Sequence, residues 1–263
     1  MSRLPPQARV LNLLLTHQAP APAAAMLHWW TTRGGSAADD LLVVYGGTRE
    51  SFEGLDHPQK VFVDDARLRT RDHQRQRQSY HAVCRAAAAW LEENAAAGHT
   101  HVYLAEFDHV PLVADLNRRQ LEALTREGAD VLGLRCLRID GTSHPHYLYH
   151  AADPAFHEFW RGLSCRADPA VVLTMFGTGS FWTRAAFVAT AEAAEPVPIY
   201  LELFLPTAAH HLGYRVRPYP DAAAHAFVDH VGDYRARIPE AEAAGAWTIH
   251  PVKTLWDEVP SHF

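Results

Sequence analysis

The segment His101-Val-Tyr-Leu-Ala-Glu-Phe-Asp-His-Val-Pro111 sets two carboxylates, Glu106 and Asp108, two residues apart at the end of an apolar run. Residues i and i+2 of an extended segment point to the same side, so the pair can share one divalent cation. Mg²⁺ and Mn²⁺ take oxygen ligands, commonly one or two carboxylates together with substrate phosphates. A cation held there stabilises a phosphate as it departs. The competing expectation is two solvated acids at a strand end. Glu202, in Tyr200-Leu-Glu-Leu-Phe-Leu-Pro206, is a lone acid among apolar residues. Desolvation would raise its pKa and suit it to general-base work, unless it lies on an exposed helix edge. Lys253 could meet a phosphate as a point charge or stand in solvent.

The 18 histidines raise the question of zinc. His99 and His101 open the run that ends at Asp108, about seven extended residues and ~20 Å away, so they cannot share an ion with it. His144, His146 and His150 fall in and after a turn without an accompanying H-E-x-x-H. His210 and His211 are adjacent on an expected helix and face apart. No dedicated zinc site is expected. Cys84, Cys136 and Cys165 are too few and too scattered for a disulfide framework, which suits a reducing cytoplasm.

The elements that must position these groups follow from the apolar pattern. Val10–Thr16, Leu41–Tyr45, Lys60–Val63 and His101–Ala105 read as buried strands, with helices over Ala21–Thr32 and Gln74–Ala97 between them. This alternation predicts a Rossmann-like, mostly parallel sheet flanked by helices in one α/β domain. Ligands of such sheets bind beyond the carboxyl ends of the strands. Those ends carry Thr16, Tyr45 and Gly46-Gly47, the pair Asp64-Asp65, and Glu106 with Asp108. Thr16 and Tyr45 would line a base pocket or else serve only the structure of the strand ends. Asp64 or Asp65 would accept from a base N–H or a ribose hydroxyl, or else cap the following turn. Downstream, Leu116–Arg126 reads as a helix, Asp130–Leu137 as a strand and Gly177–Trp182 as a Gly-containing loop. Ile199–Leu212 reads as a helix that Pro206 kinks or breaks. Residues 1–111 are expected to form a nucleotide-binding half and 112–263 a more variable half. With 24 basic and 30 acidic residues the net charge is −6, which argues against a general nucleic-acid binder. No apolar run reaches the ~18 residues of a membrane span, and no signal peptide is read.

The strand ending Leu-Val-Val-Tyr-Gly-Gly47, the strand Val-Phe-Val-Asp-Asp65, and the long helix leading to Ala-Glu-Phe-Asp-His-Val-Pro111 together resemble a GT-A type glycosyltransferase, family 2-like. In that family the fourth strand runs into an Asp-x-Asp motif. Asp108 matches its last Asp, and Glu106 stands where Asp is usual. The resemblance implies Mn²⁺ or Mg²⁺ on the diphosphate of a nucleotide-sugar, a UDP-sugar favoured. It implies His250, before Pro251, as a further metal ligand, and the loop with Gly179 and Trp182 near the donor sugar. Trp182 could stack on a sugar face or sit in the interior. Inverting members deprotonate the acceptor with an acidic residue, for which Glu202 is the candidate here. The rival readings are a non-catalytic binder of sugar or partner on the same fold, and a nucleotidyltransferase. Against the second, Thr16-His-Gln-Ala-Pro20 has neither the Gly nor the Lys of a phosphate loop.

Overall fold

The computed structural model describes residues 8–69, 79–193 and 199–253. In chain order the strands and helices begin with β1 (Val10–Thr16), α1 (Pro20–Thr32), β2 (Leu41–Tyr45), α2 (Arg49–Glu53), β3 (Lys60–Phe62), α3 (Ser79–Glu93), β4 (His101–Glu106) and β5 (Val110–Pro111). They continue with α4 (Leu116–Glu127), β6 (Val131–Gly133), β7 (Leu137–Arg138), α5 (Pro145–Ala151), α6 (Pro154–Leu163), β8 (Leu173–Thr174) and β9 (Ser180–Thr183). The last are α7 (Arg184–Glu192), α8 (Leu201–His211), β10 (Val216–Pro218), α9 (Ile238–Ala243) and β11 (Thr248–Ile249). Seven strands make the central sheet in the order β10-β6-β9-β4-β1-β2-β3. All pairings are parallel except those of β9, which runs antiparallel to both β4 and β6.

The centre is apolar on both faces, as a helix-covered parallel sheet requires. Leu11, Leu13 and Leu15 face a layer built on Val83, Cys84, Ala87 and Leu91 of α3, with α7 and α8 beside it. Val10 and Leu14 face Met26, Leu27 and Trp30 of α1 together with α4. The parallel register pairs Thr16 with Tyr45 and Leu15 with Glu106. It therefore brings the carboxyl ends of β1, β2 and β4 to one edge, where the site residues collect.

Several expectations need correction. Gly177–Trp182 is not all loop, because Ser180–Thr183 is β9, an interior strand of the sheet. The strand expected over Asp130–Leu137 joins the sheet only from Val131 to Gly133; Arg135 then takes a left-handed φ of 51° and turns the chain. The long helix spans Ser79–Glu93, and the Gln74 end of the expected range lies outside the described residues. Helices α5 and α6 were not foreseen, although each starts with a Pro at its first helical turn, a position where the missing N–H costs nothing. Pro206 does not break α8, which runs unbroken from Leu201 to His211. It has no N–H to give the carbonyl of Glu202 four residues earlier. That carbonyl instead accepts the N–H of Met175 at 3.0 Å. Two further bonds tie Thr207 Oγ1 to the N–H and carbonyl of Leu173. Helix α8 thus anchors the segment that leads into Gly177 and β9.

Two buried histidines make the fold sensitive to acid. Burial pushes His81 and His225 each down to about 4. Both are neutral in the fold near neutrality. As pH falls through the ordinary value of 6.5 the unfolded chain takes up protons that the fold refuses until about pH 4. The thermal midpoint should therefore decline steadily between pH 6.5 and 4. Melting followed by circular dichroism checks this, and a flat midpoint across that window would contradict it.

Candidate active site

Glu106 is the last residue of β4, and the turn after it is closed by the N–H of His109 donating to the Glu106 carbonyl at 3.0 Å. Asp108 lies in that turn and is buried. The third member arrives from the far end of the chain. Strand β11 pairs antiparallel with β5, setting Ile249 against Val110, and the Val252 N–H then donates to the Asp108 carbonyl at 2.9 Å. Between them, His250 is fixed through its ring: Nδ1 lies 2.5 Å from the carbonyl oxygen of Asp229. A carbonyl only accepts, so Nδ1 carries a hydrogen and Nε2 is aimed at the acids. Nε2 is 3.2 Å from Asp108 Oδ1 and 3.7 Å from Glu106 Oε2.

These distances suit a shared ion. One ligand atom from each of the three residues lies within 4.8 Å of the others, the one such group of three or more His, Cys, Asp or Glu among the described residues. Neighbouring ligands about 2.1 Å from an octahedral ion are separated by about 3 Å. Two carboxylate oxygens and an imidazole nitrogen fit Mn²⁺ or Mg²⁺ and leave positions for phosphate oxygens and water. In the ion-free protein, burial disfavours charge on His250, but hydrogen bonds to Asp108 and then Glu106 outweigh it and push the ring up to about 9. His250 must therefore release a proton before Nε2 can ligate. At pH 7, Mn²⁺ binding should release close to one proton, and apparent affinity should rise with pH until about 9. Calorimetry in buffers of different ionisation enthalpy reads the proton directly. Metal binding with no proton release would remove His250 from the ligand set.

A second layer holds the first, and sequence reasoning missed it. The Glu106 N–H donates to Thr178 Oγ1 at 2.8 Å. Thr178 Oγ1 lies 3.3 Å from Nδ1 of His109, whose Nε2 is 3.1 Å from the Tyr103 hydroxyl. His109 is fully buried and held neutral by that burial, so one ring nitrogen donates and the other accepts. Its ring packs 5.5 Å from that of His250. Gly179 makes this approach feasible: its φ is +79°, and a Cβ there would sit 2.5 Å from His109 Cε1. The ring of Phe176 meets His250 edge-on at 5.4 Å, backed by the Arg135 guanidinium. Arg135 also donates to the Val228 carbonyl at 2.9 Å and pairs with the Asp229 carboxylate at 3.4 Å. The His109 next to Asp108 was visible as a type, but only the antiparallel return of β9 shows what it touches.

Glu202 stands in the first turn of α8, where a Cβ on Gly177 would come 3.2 Å from its Oε1. Burial raises its pKa, the Glu106 charge raises it further and His146 opposes the rise. Glu202 therefore lies near enough to Glu106 to feel its charge. Lys253 is exposed, one residue beyond the Val252 that is bonded to Asp108.

The remaining expectations divide. Trp182 is wholly buried, with its indole N–H donated to Ser180 Oγ at 2.8 Å, so it has no face to offer a sugar and is a core residue. Tyr45 is a buried strut, packed with Phe52 and Phe62, its hydroxyl donated to the Gln18 carbonyl at 2.8 Å. Thr16 is buried too, and its Oγ1 accepts the Gln18 N–H at 3.1 Å. These two hold the loop after β1 instead of lining a pocket. Asp65 is taken up by Arg67, pairing with its guanidinium and accepting its backbone N–H, which is the capping alternative. Asp64 is exposed beside Arg69, 3.3 Å from Nη2.

The sequence matches no known protein family and no curated protein. Among solved structures, the fold is similar to the mannosyltransferase PcManGT from Pyrobaculum calidifontis in complex with GDP-Man and Mn²⁺. The TM-score is 0.42 and the identity 13%, over 82% of this chain and 55% of that one, so this chain spans little more than half of its length.

Proposed function

We propose that the protein is a metal-dependent glycosyltransferase of the GT-A type that moves a sugar from a nucleotide-sugar to an acceptor hydroxyl. The observation that carries this is the convergence of Glu106, Asp108 and His250 at the carboxyl edge of a mostly parallel sheet, within 4.8 Å of one another. Glu106, Asp108 and His250 would hold Mn²⁺ or Mg²⁺. The ion, when bound, supplies positive charge to the diphosphate as the glycosidic bond breaks. The nucleotide lies over residues 1–111, with Asp64 on its ribose or base and Lys253 near a phosphate. Gly179 leaves room for the close approach of the second layer. Glu202 accepts the acceptor's proton as that oxygen attacks the anomeric carbon. The bond to the diphosphate oxygen breaks on the opposite side, its electron pair leaving with the diphosphate, so the reaction inverts. Residues 112–263 supply the acceptor side. No described helix is long and apolar enough to cross a membrane, and the free thiols of Cys84, Cys136 and Cys165 suit a cytoplasmic protein.

Incubation with UDP- and GDP-sugars tests this without knowledge of the acceptor. Slow release of the nucleotide with Mn²⁺, and none with EDTA, is the expected result. Nucleotide-sugar that binds but is never cleaved would favour a non-catalytic binder, and no binding of either nucleotide would overturn the proposal.

A further inference from the structure

The metal ligands and the proposed base leave one group of side chains beside Glu202 without a task. Helix α5 follows His144 at its N-cap, and His146 and His150 then stand four residues apart on one face of it, with Tyr149 beside them. His150 is buried and stacks on Phe156 of α6 at 5.0 Å, which ties α5 to the fold. The other rings meet Tyr200, the N-cap residue of α8, two positions before Glu202. His146 stacks on Tyr200 at 4.9 Å and 22°, and Tyr149 meets it edge-on at 5.4 Å. Glu202 is near enough to His146 and to Glu106 to feel the charge of both, so it is close to this aromatic shelf as well as to the metal acids.

The shelf is open to solvent. Tyr149 is 47% exposed, and His146, Tyr200 and Glu202 are half-buried. The buried nitrogen of the His146 ring is Nδ1, so Nε2 is the polar tip on its open side. Aromatic faces with polar tips match a pyranose, whose C–H face packs on a ring while its hydroxyls donate and accept. An anionic compound fits poorly. From Ile139 to Trp160 the chain has no Lys or Arg, and Glu202 and Glu106 stand nearby. Burial, and then the His146 charge, hold His144 below its ordinary value, which keeps it neutral. Nor do these histidines belong to a group of three or more able to hold an ion, since the one such group among the described residues is Glu106, Asp108 and His250.

We propose that the shelf of His146, Tyr149 and Tyr200 binds the acceptor as an uncharged pyranoside, its sugar ring lying on Tyr149 with one hydroxyl turned to Glu202. The assignment as acceptor rests on the glycosyltransferase reading; the sugar-binding chemistry of the shelf does not. The test is saturation-transfer NMR on the full chain with Mn²⁺ and UDP or GDP present. The probes are the methyl pyranosides of glucose, galactose, mannose and N-acetylglucosamine, with glucose-6-phosphate as a separate arm. At least one methyl pyranoside should bind saturably, with the strongest transfer at its ring C–H protons. Tyr149→Ala, at an exposed position, should weaken that binding by roughly tenfold, the size of a lost ring contact, and Tyr149→Phe should keep it. Mn²⁺-nucleotide binding should be the same in all three proteins. No saturable binding of any of these glycosides, or equal binding to Tyr149→Ala, would overturn the proposal. Glucose-6-phosphate binding more tightly than methyl glucoside would overturn the uncharged class. Loss of nucleotide binding in Tyr149→Ala would move the shelf to the donor side and overturn the acceptor assignment. If the wild type binds a pyranoside but neither nucleotide, the glycosyltransferase reading fails and the acceptor role with it, while the shelf's sugar chemistry stands.

Discussion

Asp108→Ala should abolish the dependence of nucleotide binding on Mn²⁺, lowering metal affinity by roughly a hundredfold or more. Loss of an outer partner of a metal ligand already costs 10–100-fold, and loss of a ligand should exceed that. Asp108 is the buried acid of the pair and the closer to His250, with Nε2 at 3.2 Å against 3.7 Å for Glu106. Its backbone bond to Val252 survives the substitution, so the C-terminal segment should stay docked. Asp108→Asn is the companion variant: it keeps the shape, removes the charge and should fall nearly as far. Calorimetry of UDP and GDP with Mn²⁺ or EDTA reads both. Equal nucleotide affinity in the two conditions for the wild type, or unchanged Mn²⁺ enhancement in either variant, would contradict the assignment.

Glu202→Gln should separate transfer from donor binding. The substitution keeps the volume beside Gly177 and the Met175 bond, which goes to the backbone of residue 202. It removes the carboxylate that burial and the Glu106 charge make a stronger base. Transfer should drop by about 10²–10⁴, the usual contribution of a positioned base, while donor affinity changes little. Slow donor hydrolysis can persist, because water does not need the same positioned proton transfer. Lost donor binding would place Glu202 in the nucleotide or metal shell. Unchanged transfer would make it a structural residue and leave a retaining reaction to be considered.

The sheet was legible because its central strands are short apolar runs separated by amphipathic helices, and β1, β2 and β4 lie where those runs do. The acids of the site were legible as a pair at a strand end, although the strand stops at Glu106 and Asp108 reaches the site through the turn that follows, not through alternation along the strand. Contacts closed by distant chain were not. Nothing local in Thr178 or Asp229 announces that one receives the Glu106 N–H and the other orients His250, since both depend on pairings far apart in sequence. The glycines at 177 and 179 suggested a loop, although the residues after them enter the middle of the sheet. Trp182 and Tyr45 were misplaced because an aromatic at a strand end serves a ligand or the core equally well by type. Burial separates the two, and both side chains are almost wholly enclosed.

The most direct measurement is an anomalous difference map, recorded near the manganese edge, from crystals soaked with Mn²⁺ and UDP or GDP. The account predicts one strong peak about 2.1–2.3 Å from a carboxylate oxygen of Glu106, one of Asp108 and Nε2 of His250, with diphosphate oxygens completing the shell. A peak elsewhere with these three residues unchanged, or a bound nucleotide whose diphosphate lies away from Asp108, would contradict it.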